Sequence, residues 1–271
     1  MAMPIFLNNL GTAYTQDFDT LSNTPGSTTN NLTVPGWEMS EGGLGSRDNE
    51  QYAVDDGTSN TGDTYSYGTT GSPDRALGAL QSNSLTATFG AVFFNETAFT
   101  VIDSITISYV GEQWRLGQAG RGTDRLDFQY SVGVTNVPTG PWTDFDPLDF
   151  STPNTAATVG DTDGNAAAFR APVSATITGV NFGPFMFLFV RWVDAGIAGP
   201  EDGLAIDDFS LTPSSTETIS VNAAMFSFVR LSCESPSLPF SPLRITPFCE
   251  STWKRVLVAG SSDKISLLQS S

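Results

Sequence analysis

Histidine is absent from all 271 residues, lysine is absent before residue 254, and there are only two cysteines, Cys233 and Cys249. Without imidazole, Ser-His-Asp and Cys-His catalysis and the commonest zinc sites are excluded. Carboxylate chemistry is what remains, either as an acid/base pair or as a cage for a hard cation. Basic residues are scarce as a class, with 12 Lys+Arg against 29 Asp+Glu and a formal charge of −17. A field of that sign repels a phosphate backbone and an anionic bilayer, so nucleic acid and membrane adhesion are excluded as partners, whereas divalent cations are attracted. A first stretch of 232 residues without cysteine suits an oxidising compartment where no thiol has to be managed. Long apolar runs are missing too. The longest, Phe182 to Val193, is interrupted by Gly183, Pro184 and Arg191 and falls short of the roughly 18 residues of a membrane helix. Met1 to Leu10 shows neither a basic n-region nor a full apolar h-region, so no ordinary export signal is legible there.

Composition shifts at Pro213. Residues 1–213 hold 7 Arg and 25 acidic residues, a net of −18, whereas residues 214–271 hold 5 basic and 4 acidic residues, a net of +1. The Gly/Asp/Thr texture gives way there to Ser, Pro, Leu and Phe without a period. Residues 1–213 are expected to be one domain, and residues 214–271 an irregular tail whose prolines between Ser235 and Pro247 stop helices and interior strands.

Within the domain, helical periodicity is nearly absent and turn residues are dense. Alternating runs bounded by Gly, Asn, Asp and Pro predict strands over 84–94, 101–109, 125–132, 175–180, 185–192 and 204–211. In the second run Ile105, Ile107 and Tyr109 point one way and Ser104, Thr106 and Ser108 the other, so one face is core and one is wet. Phe185 to Val190 is continuously apolar and reads as a strand covered on both sides. The fold class expected is all-β, a two-sheet antiparallel sandwich of jelly-roll type whose core volume comes largely from 19 phenylalanines.

Three segments carry a family resemblance. They are Gln16-Asp17-Phe18-Asp19 with Leu21, the stretch Gly111-Glu112-Gln113-Trp114-Arg115 through Asp124 to Ser131, and Gly203-Leu204-Ala205-Ile206-Asp207-Asp208-Phe209-Ser210-Leu211. Together, from about Thr15 to Thr212, the chain resembles exported bacterial jelly-roll or lectin-like sandwich domains. Such domains precede sorting signals or accompany secreted nuclease, phosphatase or adhesin modules. The resemblance implies an extracellular or cell-surface location, and it implies that chemistry, where present, resides in attached modules.

First and last strands often lie side by side in jelly rolls, so Asp17 and Asp19 are expected to meet Asp207 and Asp208 as a structural Ca2+ site. For ligand binding, Trp114, Tyr65 and Tyr67 are the candidate aromatic platforms, and Gln113, Arg115 and Arg125 are the candidate polar groups on one concave face. The Asp161-x-Asp163-x-Asn165 spacing opens like a calcium loop but has Pro172 where the closing Glu belongs, so it reads as a turn. No strand carries the spaced Glu/Asp run of sandwich glycosidases. The expected function is a non-catalytic module binding carbohydrate or a cell-surface or matrix polymer. Two alternatives stay open: an adhesive protein-contact module, and an accessory domain of a secreted nuclease, phosphatase or glycosidase.

Overall fold

The computed structural model describes residues 3–97, 100–133, 140–194 and 196–215. In chain order its strands are β1 (Ile5–Leu7), β2 (Tyr14–Gln16), β3 (Trp37–Gly43), β4 (Ala53–Asp55), β5 (Asp63–Tyr67), β6 (Ala76–Leu80), β7 (Leu85–Asn95) and β8 (Ile102–Leu116). They continue with β9 (Arg125–Val132), β10 (Thr143–Asp144), β11 (Phe150–Ser151), β12 (Gly160–Asp161), β13 (Arg170–Phe182), β14 (Phe187–Asp194) and β15 (Gly203–Ser214). One short 3-10 turn, Asp146–Leu148, is the only helical element among the described residues. The tail expected from residue 214 lies outside the described residues beyond Ser215, and so do Cys233 and Cys249.

The strands form two sheets. The first has seven strands in the order β1-β7-β14-β9-β10, with β3 also on β7 and β11 also on β9. The second has eight in the order β12-β8-β15-β6-β5-β4, with β13 on β8 and β2 on β15. Pairing is antiparallel except for the short β1–β7 and β4–β5 pairs. β2 lies beside the last strand, Gln16 opposite Phe209, as a jelly roll requires.

Alternation decides what fills the interior. β7 sends Ala87, Phe89, Ala91 and Phe93 inward, β14 sends Leu188, Val190 and Trp192, and β8 sends Ile105, Ile107 and Tyr109. The indole of Trp192 is the common contact. It stacks on Trp37 at 6.1 Å and Phe89 at 5.9 Å, and takes edge contacts from Phe128 at 5.3 Å, all from the first sheet. From the second sheet Tyr109 at 5.3 Å and Phe209 at 5.8 Å meet the same ring edge-on. Offset and edge-to-face geometries of this kind stabilise beyond the area they bury.

The expectation that Phe185 to Val190 is covered on both sides holds for Leu188, Phe189 and Val190 only. Phe185 is 62% and Met186 39% exposed, because the chain turns there rather than running on as strand. Truncation of the central ring, Trp192→Ala, is expected to destabilise the domain by ~3–5 kcal/mol. A urea denaturation midpoint reads this, and a loss under ~1 kcal/mol would contradict a ring shared by both sheets.

Candidate functional site

The platform expected from the sequence is covered. Trp114, Tyr65 and Tyr67 do form an aromatic row, with Tyr67 parallel to Trp114 at 6.2 Å and 4.9 Å from Tyr65. All three are buried, at 2%, 1% and 0% exposure, in a small cluster with Ala53, Ala76, Leu80 and Ala205. Two loops lie over them. Tyr65 donates its hydroxyl proton to the Thr61 carbonyl at 2.7 Å, and Gly164 sits so close that a Cβ there would lie 2.4 Å from the Trp114 ring. The Trp114 indole N–H donates to Glu112 at 2.9 Å.

The polar residues expected beside that platform do not share a face either. Gln113 is fully buried and exchanges hydrogen bonds with the Asn154 backbone, both at 3.1 Å. Arg115 straps a loop, donating to the Gly57 and Thr58 carbonyls at 2.9 and 3.2 Å. Arg125 lies in the other sheet, on β9, against Asp127 and Asp149. Sequence-distant loops decide these placements, and local alternation carries no sign of them.

Of the four aspartates expected to hold calcium, Asp17, Asp19 and Asp208 stay near one another and Asp207 parts from them. Asp17 accepts the Asp19 N–H, and Asp19 accepts the Arg75 N–H at 3.2 Å. Asp208, at φ +49, turns outward at a bulge and lines a shallow depression with Thr15, Gln16, Asp17 and Phe209. Asp207 points elsewhere, buried at 5% exposure with Oδ1 lacking a hydrogen-bond partner. Its neighbour is Glu112, 1% exposed, whose Oε1 also lacks one. Burial and mutual repulsion push Asp207 up to about 8, and burial pushes Glu112 up to about 7.

An open face with the right chemistry exists on the outside of the first sheet. Since Leu188, Val190 and Trp192 point inward, Phe187, Phe189 and Arg191 must point out, and the register aligns them with their neighbours in rungs. One rung is aromatic: Phe6, Phe94 and Phe187 are paired across β1, β7 and β14, with rings 5.7 and 5.1 Å apart. Phe185 joins it at 6.4 Å from Phe94, held at φ +61, a conformation that aromatic side chains rarely adopt. A second rung, Val92 with Phe189 and Ser131, is buried beneath Trp142 and Phe187.

The third rung is polar and crosses the sheet from edge to edge: Glu38, Gly90, Arg191, Gln129 and Asp144. Arg191 Nε donates to Gln129 Oε1 at 2.8 Å, and Gln129 Nε2 donates to Asp144 at 2.6 Å. The Arg191 guanidinium lies 3.9 Å from the Trp142 ring centroid, and burial lowers its pKa to about 10. Ser131 donates to the Pro141 carbonyl at 2.6 Å, fixing the segment that carries Trp142. A fourth rung, Ser40, Thr88, Val193 and Asp127, adds hydroxyls. The sequence signal for this face was available: an arginine between Val190 and Trp192 marks the outward parity of β14.

No family model matches this chain, and no curated protein matches it. Among solved structures it is similar to an adhesin domain of Lys-gingipain from Porphyromonas gingivalis, at 11% identity over 73% of this chain and 98% of that one, TM-score 0.38. Other solved structures similar to it are carbohydrate-binding modules. A family 22 module from Clostridium thermocellum shares 13% identity over 78% of this chain and 100% of its own, TM-score 0.36. A module solved with β-1,4-galactotriose shares 12% over 73% and 99%, TM-score 0.34. Scores at this level leave the functional reading to the surface itself.

Burial of the tyrosine row has a measurable consequence. The Tyr67 hydroxyl is buried without a partner, and such a group costs ~1–3 kcal/mol, so Tyr67→Phe is expected to leave stability unchanged or raise it by ~1 kcal/mol. Chemical denaturation tests this, and a destabilisation above ~1 kcal/mol would show that the hydroxyl has a partner after all.

Proposed function

We propose that this chain is a non-catalytic binding module, exported to the cell surface or beyond, that holds a carbohydrate chain across the outer face of its first sheet. One observation carries the reading: an aromatic rung of Phe6, Phe94 and Phe187 and a hydrogen-bonding rung of Glu38, Arg191, Gln129 and Asp144 flank the buried Val92–Phe189–Ser131 rung, with Trp142 and Phe187 packed on it, on one side of the same sheet. Sugars present an apolar C–H face and a rim of hydroxyls, and a site for them needs both surfaces side by side. Arg191 and Gln129 are already oriented by each other and by Trp142, which limits the side-chain ordering that binding would otherwise require. The buried acids of the second sheet are covered, which favours binding over hydrolysis.

Affinity electrophoresis against neutral plant, algal and bacterial polysaccharides tests the proposal. On the polymer that retards the chain, Phe187→Ala, Arg191→Ala and Trp142→Ala should each weaken binding about tenfold or more, ~1.4 kcal/mol, while Arg115→Ala leaves it unchanged. Retention untouched by all three variants, or no retention on any polymer, would contradict it and favour a protein-contact role for the exposed Phe6, Phe185 and Met186.

Calcium belongs to the proposal at Asp207 with Glu112 rather than with Asp17 and Asp19. Two buried carboxylate oxygens without partners, with Arg170 Nη2 only as near as 4.0 Å to Glu112, fit a hard cation that completes its shell with further oxygens. Chelation should lower the melting temperature by several degrees, and Asp207→Asn should abolish that response. An identical melt with and without chelator removes calcium from the account.

A further inference from the structure

Away from the binding face, one end of the sandwich is closed by carboxylates. Asp124, Asp194 and Glu201 bring an oxygen each within 4.8 Å of one another, and Asp202 lies beside them. Each carboxylate fastens backbone from a different part of the chain. Asp194, at the end of β14, accepts the N–H of Gln81 at 3.0 Å and of Gly196 at 3.2 Å. Glu201 accepts the Ile197 N–H at 3.0 Å. Asp202 accepts the Gly117 N–H at 2.7 Å and the Thr152 hydroxyl at 2.6 Å, and Asp124 accepts the Asp202 N–H at 2.9 Å.

Among the described residues one cation faces this group. Arg121 reaches Asp124 at 3.1 Å, Asp202 at 2.9 Å and Glu201 at 3.6 Å, with its side chain only 4% exposed. Arg125 turns its side chain to Asp127 and Asp149, and Arg115 straps the Gly57 loop. From β5 only the Tyr67 phenol approaches, close to Gly203. Four carboxylates, three of them buried and Glu201 at the rim, share one guanidinium that reaches only Asp124, Glu201 and Asp202, and that arrangement is stable only when protons remain on some of them.

We propose that this cluster is a proton-held clasp: protonated, it fastens residues 196–202 onto the 117–124 segment, and deprotonation drives Glu201 from Asp124 and Asp194 and releases that end of the domain. Burial, then the charge of Asp124, raises Asp194 to about 8, and burial chiefly raises Glu201 to about 7. A carboxyl raised in the folded state contributes stability that is complete below its ordinary pKa and is lost as pH climbs through the raised value. The clasp is therefore closed at mildly acidic pH and loosens between about 6 and 9, independently of the sugar-binding face.

Hydrogen exchange of the full chain, followed by mass spectrometry at pH 6 and pH 9 with times scaled to equal intrinsic exchange, tests this. In the wild type, protection of peptides covering 196–202 and 117–124 should fall about tenfold at pH 9 while β8 and β13 stay protected. Glu201→Gln and Asp194→Asn should each remove that difference. Should Asp194→Asn fail to fold, Glu201→Gln decides alone, since its carboxylate sits at the rim. Equal protection at both pH values, loss spread over the whole domain, or a wild-type response in the variants would overturn the clasp.

Discussion

Everything placed on the surface of the first sheet follows from one buried ring. Trp192 meets aromatic side chains from both sheets, and its position fixes the parity of β14. With a side-chain period of two, an inward Trp192 requires outward Arg191, Phe189 and Phe187. A slip of one residue would bury a guanidinium in an aromatic core and expose the indole, a change no local adjustment could offset. Packing and surface are thus two readouts of a single register: the residue that unites the sheets also sets which side chains the outer face presents.

Much of this was legible from residue order alone. The six alternating runs became β7, β8, β9, β13, β14 and β15, and the inward set Ile105, Ile107 and Tyr109 was read correctly because period-two alternation is a local property. The proposed binding surface was not, for a physical reason. Whether an outward aromatic such as Trp114 meets water depends on what crosses above it, and here those loops come from residues 56–62 and 161–169, remote in sequence. Phe187 was misread in the opposite sense, because an unbroken apolar run hides its parity until Trp192 is assigned to the core. Asp207 was expected to join Asp17, Asp19 and Asp208, but it is buried beside Glu112 on β8, a cross-strand neighbour that only the register reveals.

Charge is handled by a few arginines, each placed against buried acids. Arg47 pairs with Asp63, Arg121 with Asp124 and Asp202, and Arg170 approaches Glu112. Asp63 shows the balance at such sites: burial, with Glu41 alongside, raises it to about 7 despite the hydrogen bond and charge of Arg47. Where buried acids outnumber the arginines beside them, as at Asp124, Asp194, Glu201 and Asp202 around Arg121, ion pairs alone do not balance the charge. The raised carboxylates thus lie inside, whereas Arg191, outside, is held by Gln129 and the Trp142 ring.

Mapping a bound oligosaccharide by NMR chemical-shift perturbation on the full chain tests the central claim most directly. The account predicts shifts concentrated at Phe94, Gln129, Trp142, Phe187 and Arg191, with the indole resonance of Trp114 unmoved. Perturbations centred on Trp114, Tyr65 and Tyr67, or distributed over the second sheet, would contradict it.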